Sequence, residues 1–386
     1  SSIEEQTNSI IYIANKIIGR FGNSSEKLEI QKLSYGKSIL NLKKLDIIVS
    51  NLIKFKGQSI ITVGENHTKN IHKTVLLINK ALGNINKTII LQSYAQYRTK
   101  FLTKKGFEDS ILDITTKLDN NLIDQIISID VDLTRHIPDF SKKVKDIDTI
   151  YLTNYKNNFS KLAKTVVAKT HFLEDWGLLL SKEALICIQQ PLINKLYPET
   201  MSATEFLLSL SKSKKTVYQF LKERISSFKG SFYSLKKYGF INRRSKRLFI
   251  NKINLDTYSE DLVQLNLNII PSYQLNDGYY SNNAWLNESP DPVSKLTWGN
   301  AFYISHNYAK KNKLKTGDVV SIATNQHNVS GPVLVLPGQN DHTITLNYGF
   351  GNIYDASFSG YGINADQFVP NRFYFVNNVD KTGETV

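Results

Sequence analysis

Two groups of residues bring together side chains able to move protons or grip a ligand. In His171-Phe172-Leu173-Glu174-Asp175-Trp176-Gly177, a titratable base, a carboxylate and an indole donor fall within one short stretch, the ingredients of an acid/base site. The same residues also serve architecture, because His and Glu satisfy backbone groups freed where a strand enters a loop and Trp closes a core. The architectural role is the expectation here. A second group, Asn282, Asn283, Trp285, Lys295, Trp298 and Asn300, combines amides, indoles and one cation. Such a set can hold the base and phosphates of a dinucleotide, and it suits a seam between domains equally well. The seam is expected. His67 and His72 are five residues apart, whereas two ligands on one helix face need a spacing of three or four, so no metal pair is expected. Cys187 is the only cysteine and lies in the apolar run Ala184–Ile188, which excludes a disulfide or a thiolate-held cluster within the chain.

The elements that must position these residues follow from periodicity. Apolar residues at helical spacing (Ile10, Ile13, Ala14, Ile17; then Leu40, Leu42, Leu45, Ile48, Leu52) predict helices in the first 54 residues. Gln58–Val63 reads as a buried strand, followed after Gly64-Glu65-Asn66 by a helix that stops at Gly83-Asn84. Ile147–Asn154 and Thr165–Ala168 read as strands flanking a helix from Asn158, the alternation of a parallel α/β sheet. Leu185–Gln189 is a further strand, and Ser202 with Glu205 marks a capped helix start. From Ser272 the pattern changes to short β-rich runs, Val319–Thr324, Val333–Pro337, Thr343–Leu346 and Phe373–Val376, broken by turns, with a helix over His306–Asn312. That is the texture of a small barrel.

A chain of 386 residues with 41% hydrophobic and 21% charged residues fits two globular domains. Its apolar runs fall far short of the roughly 18 residues that span a bilayer, so membrane contact is expected only through partners. Ser1 and the lack of a basic-then-apolar leader read as a chain cut from something longer. The net charge of +14 invites a nucleic-acid reading. Lys, Asn and Ile are abundant throughout, however, and the one local cluster, Asn242–Arg247, reads as a solvated loop or a site for an acidic protein. No phosphate loop, Gly-x-Gly-x-x-Gly, Gly-x-Ser-x-Gly or zinc-type array is present.

The stretch Leu314–Ile322 with Lys315-Thr316-Gly317-Asp318, followed by Gly331–Gly338, resembles the C-terminal domain of the molybdopterin oxidoreductase superfamily. The blocks His171–Gly177, Gln189–Ile193, Asn282–Glu288, Pro292–Asn300, Asn347–Gly351 and Gly360–Ala365 resemble, in order and spacing, the cofactor-less molybdopterin-oxidoreductase-like subunit of bacterial alternative complex III, a quinol:electron-acceptor oxidoreductase. The resemblance covers about Ile147 to Ala365 and weakens around Ile60–Ile90.

The resemblance implies α/β plus all-β architecture: a Rossmann-like α/β domain over residues 1–270, with 213–270 reading as an insertion, and a double-psi β-barrel over 271–386. It implies a scaffold that performs no chemistry, carries no cofactor, and works with iron–sulfur and haem partners on the periplasmic side of a bacterial inner membrane. In that setting His171, Glu174, Trp176, Asn282, Asn283, Trp285, Lys295, Trp298 and Asn300 line a vestigial pterin groove. Two readings from other classes stand beside it: the C-terminal half of a catalytic molybdenum bis-pterin enzyme, with molybdopterin bound, and a basic RNA-binding protein.

Overall fold

The computed structural model describes residues 3–33, 41–64, 67–91, 107–137, 139–180, 185–227, 231–242, 253–256, 265–325, 327–351, 360–368 and 373–386. The chain begins with helices α1 (Ile3–Phe21), α2 (Ser24–Ile30), α3 (Leu42–Lys54) and α4 (Lys69–Ala81). Ile11, Ala14, Ile17 and Ile18 of α1 are fully buried against Ile71, Leu77 and Ile78 of α4, as the helical spacing requires. His67 is tied to α1, its ring nitrogens lying 3.3 Å from Thr7 Oγ1 and 3.0 Å from Gln6 Oε1.

The strand expected at Gln58–Val63 does not form. Its backbone finds partners in side chains: Ile61 N donates to Asn79 Oδ1 (3.1 Å), Asn79 Nδ2 donates to Ile61 O (2.8 Å), and Thr88 Oγ1 donates to Ser59 O (2.6 Å). The buried Asn79 of α4 thus does what a neighbouring strand would do.

A second layer contains α5 (Phe107–Asp119), β1 (Gln125–Ile129), α6 (Phe140–Lys143), β2 (Asp148–Thr153), α7 (Asn158–Leu162) and β3 (Thr165–Ala168). The three strands form a parallel sheet in the order β1-β2-β3. Phe140, Tyr151 and Phe159 pack beneath it, with Phe140 edge-on to Phe159 at 5.2 Å. The Rossmann-like expectation is met only at the level of mixed α/β structure. Three strands in sequential order lack the reversal that defines a doubly wound sheet.

Next come β4 (Gly177–Leu180), β5 (Leu185–Gln189), α8 (Ala203–Leu210), α9 (Val217–Ser227), α10 (Phe232–Tyr238) and β6 (Phe240–Asn242). Leu185–Gln189 is a strand as expected, but it belongs to a separate antiparallel sheet, β4-β5-β6. Ser202 and Glu205 form a capping box at α8, with Glu205 N donating to Ser202 Oγ at 3.1 Å. Within the described part of residues 213–270, Leu221, Ile225, Phe232 and Leu235 share a core with Ile186 of β5. The cationic run Arg243–Arg247 lies outside the described residues.

The C-terminal part comprises β7 (Asn266–Pro271), α11 (Ala284–Glu288), β8 (Phe302–Ile304), α12 (His306–Lys311), β9 (Asp318–Thr324), β10 (Asn328–Val335), β11 (Thr343–Tyr348) and β12 (Phe373–Thr385). Its six strands close into a barrel in the order β10-β8-β11-β7-β12-β9, mixing parallel pairs (β10 with β8, β11 with β7) with antiparallel ones. This is consistent with a double-psi barrel. Leu267, Ile269, Phe302, Ile322, Ile344 and Leu346 fill the interior; each such side chain contributes about 1.5–3 kcal/mol on burial. Because β7 ends at Pro271, the barrel takes in a strand on the N-terminal side of residue 271. Gly317 adopts φ +94°, and the Asp318 carboxylate beside it accepts from Lys315 N (2.7 Å) and pairs with Lys381 (2.9 Å), which fixes the turn into β9.

Candidate functional site

Parallel strands expose the first residues of their following loops along one edge, and crevices form there. After β1 the chain runs through Asp130, Val131 and Asp132 into a 3₁₀ turn over Leu133–Arg135; after β2 it presents Tyr155, Lys156 and Asn157. Opposite this edge lies the connection from β7 to α11, carrying Asp277, Gly278, Tyr279, Ser281 and Asn282, together with Tyr348 at the end of β11. Between them is a cavity of about 290 Å³.

Arg135 joins the two sides. It is 6% exposed, donates from Nη2 to Gly278 O at 3.1 Å and from Nη1 to Asp277 O, and holds Nε 3.8 Å from Asp132 Oδ2. Gly278 permits this approach. It sits at φ +87°, and a Cβ there would meet Gly349 O at 2.8 Å and the Arg135 guanidinium itself. Asp130 pairs with Lys169, just beyond β3.

Burial shapes the titration of the cluster. It pushes the Asp366 carboxyl, on the barrel's 3₁₀ turn Asp366–Phe368, up to about 7; the Asp132 and Asp277 charges add to the shift and Arg135 opposes it. Asp132 is also raised by burial, against the hydrogen bond from Thr134 and the charge of Arg135. His136 is lowered, first by burial, so its neutral form is favoured. Burial, with the Asp130 charge next, pushes the Tyr279 hydroxyl up to about 12. Strongly shifted groups converging in a crevice mark a candidate site.

The residues singled out in the sequence are mostly spent elsewhere. His171 caps the 3₁₀ turn Phe172–Glu174, its Nδ1 accepting from Leu173 N at 3.3 Å. The Glu174 carboxylate accepts from His171 N (3.1 Å) and Leu196 N (3.3 Å). Trp176 packs edge-on against Tyr218 at 5.2 Å, and with Glu174 it lines a second, more open depression of about 650 Å³ near Lys195 and Glu205. Asn283 caps α11, accepting from Leu286 N at 3.2 Å, and Trp285 is 85% exposed. Lys295 Nζ donates to Pro292 O at 2.7 Å, and the Trp298 ring lies 5.3 Å from that of Tyr361. Asn300 is buried in the barrel, bonded to Asn347 O and to both Ile363 N (2.6 Å) and Ile363 O (3.1 Å). Of the nine, Asn282 alone lines the sheet–barrel cavity.

Sequence reasoning missed Asp130, Asp132, Arg135, His136, Asp277 and Asp366. A signal existed in Ile127-Ser128-Ile129-Asp130-Val131-Asp132, where apolar strand residues give way to carboxylates, but β1 itself was not anticipated. Among the described residues, no group of three or more His, Cys, Asp and Glu is placed to hold a metal ion, and no helix is long and apolar enough to cross a membrane.

With the barrel, the parallel sheet and the crevice between them defined, the architecture can be set against known proteins. Neither a family model nor a curated protein matches the chain. A solved structure does. The chain is similar to acetylene hydratase from Pelobacter acetylenicus, with a TM-score of 0.65 over 97% of this chain and 70% of that one, at 12% identity. The chain therefore shares its fold with acetylene hydratase. At this identity the likeness concerns fold alone.

Proposed function

We propose that this chain is a non-catalytic, molybdopterin-oxidoreductase-like scaffold subunit of a respiratory quinol-oxidising complex. Electron transfer in that complex runs through iron–sulfur clusters and haem on partner segments, and the chain sits peripherally on the periplasmic face of the membrane through those partners. The blocks from His171 to Ala365 that resemble the respiratory subunit motivate the redox assignment, and the fold shared with acetylene hydratase supports the architecture.

The observation that carries the non-catalytic part is the lining of the sheet–barrel crevice. A pterin dinucleotide brings a diphosphate, which needs several convergent donors. Here three carboxylates, Asp130, Asp132 and Asp277, face the space. Arg135 directs its guanidinium to the Asp277 and Gly278 carbonyls and to Asp132, and Lys169, beside the space, is turned to Asp130, which leaves the exposed Lys156 as the other lysine or arginine among the lining residues. A cavity of about 290 Å³ also sits at the lower edge of the range for even drug-sized ligands, about 300–1,000 Å³. These residues do not fit such a cofactor.

The experiment is metal and pterin analysis of the complex purified through this chain. Iron and acid-labile sulfide without molybdenum, tungsten or extractable pterin is the expected result. Stoichiometric molybdenum with pterin would overturn the reading in favour of a catalytic bis-pterin enzyme.

A further inference from the structure

Helix α3 is held to the helical layer by one side only. Leu45 and Val49 are buried and Leu52 and Ile53 half-buried, with Val49, Leu52 and Ile53 joining the core of α1 and α4. The solvent side is apolar too: Ile47 is 61% exposed, Ile48 44%, and Phe55, just past the helix, 48%. An outward helix face is ordinarily polar. Ile48 and Phe55 are seven residues apart, which stacks them two turns from each other on one flank. Past Phe55 the turn meets Lys87, whose Nζ lies 3.1 Å from where a Gly57 Cβ would stand, and the exposed Ile60 and Ile90 follow, their segments tied by Thr88 Oγ1 donating to Ser59 O at 2.6 Å.

The charges on this surface have one sign. Lys43, Lys44, Lys54, Lys56 and Lys87 are exposed, and none has a carboxylate partner among the described residues. Lys54 Nζ sits 5.4 Å from the Phe55 ring, and Lys56 Nζ and the Arg20 guanidinium sit 4.1 and 5.3 Å from the Phe21 ring at the end of α1. The one acid of α3, Asp46, accepts from the Tyr12 hydroxyl at 2.7 Å. Lys54 and Lys56 complement the carbonyl end of the helix. Lys43 and Lys44 do not, because they occupy its first turn, which holds no acid and disfavours a cation. Helix stability therefore leaves them unexplained. Lysine is depleted at protein–protein interfaces, whereas lipid headgroups receive ammonium groups around apolar side chains that sink below them. The outward face complements a lipid surface better than a protein.

We infer that α3 and the turn after it dock this chain directly on an anionic lipid surface, with Ile47, Ile48 and Phe55 entering the headgroup layer and the flanking lysines meeting lipid phosphates. The contact is peripheral. It adds to the attachment through partners proposed above and does not rest on it.

Flotation of the full chain with vesicles of phosphatidylcholine, alone or mixed equally with phosphatidylglycerol, tests the inference. Binding to the mixed vesicles and little to the neutral ones is expected. A chain of net charge +14 adsorbs to any anionic surface to some degree, so the decisive comparison is positional. Lys54→Gln with Lys56→Gln should weaken binding by roughly tenfold. The same charge change on α9 and α10, Lys222→Gln with Lys237→Gln, should weaken it by less than about twofold. Phe55→Ser should weaken it severalfold at unchanged charge, and the indole of Phe55→Trp should shift its emission to the blue on the mixed vesicles only. All five positions are exposed, so the fold should tolerate each change, and the lysine pairs and the position-55 variants decide independently. No binding to the mixed vesicles, equal losses from the two lysine pairs, or an indole emission that the vesicles leave unmoved would each overturn the inference. So would a protein adduct in place of a lipid one when a photo-crosslinker at position 55 is activated in the complex on its native membrane. None of these outcomes depends on the metal and pterin analysis, so the two readings fail separately.

Discussion

Asp366→Asn should make the protein more stable at pH 8 while leaving it almost unchanged near pH 4. The carboxyl is pushed up from an ordinary value of 3.8 to about 7, chiefly by burial, and its Oδ1 is shielded from solvent. The folded state therefore holds this proton more tightly than the unfolded chain does. The stability contributed by the protonated acid is fully present below about pH 4, falls as pH rises, and is gone above about pH 7. A shift of about three units corresponds to at most about 4 kcal/mol, and relaxation around the charge reduces this to about 2–3 kcal/mol. Asparagine has nearly the same shape and never ionises, so it removes the penalty at high pH. Asp132, raised by burial, and His136, lowered by burial, also bend the wild-type pH profile, but they are present in both proteins and largely cancel in the difference. Urea denaturation followed by circular dichroism from pH 4.5 to 8.5 provides the measurement. Parallel curves for the two proteins, or a variant that loses stability above pH 7, would show that the carboxyl is not held protonated by its surroundings.

Glycine positions separate strain from crowding. Gly338 has φ +86°, and a Cβ added there would meet nothing within 4 Å, so Gly338→Val should cost about 1–2 kcal/mol through backbone strain alone. Gly278→Ala adds a clash with Gly349 O and Arg135 and should cost more than about 3 kcal/mol; equal shifts in denaturation midpoint would refute the crowding. Arg135→Met deprives Asp132 and two carbonyls of their cation and should destabilise the protein by about 3–5 kcal/mol, whereas a midpoint change corresponding to less than about 1 kcal/mol would mean that the guanidinium is not a tie. A fragment starting at Leu265 should unfold cooperatively, and one starting at Ser272 should not, because the latter lacks β7, whose six residues pair with β11; cooperative melting of the shorter fragment by circular dichroism would contradict this.

Local physics was legible in the sequence. Turn and cap chemistry is read within a few residues, so Gly317-Asp318, Gly338 and the Ser202–Glu205 box appear where residue types demand them. Strands with strong apolar runs, such as Asp148–Thr153 and Thr343–Tyr348, were legible for the same reason. Pairing was not. Whether Gln58–Val63 finds a strand or the amide of Asn79, and whether Leu185–Gln189 joins the parallel sheet or an antiparallel one, depends on partners far along the chain. The candidate site shows the same division. His171, Glu174 and Trp176 were conspicuous because they are neighbours in sequence, yet the His171 ring and the Glu174 carboxylate serve nearby backbone and the Trp176 ring packs on Tyr218. The cluster of Asp132, Arg135, Asp277 and Asp366 draws on three segments at least 89 residues apart. Only the docking of the barrel on the sheet's carboxyl edge brings them together, and only the burial created there shifts their proton affinities.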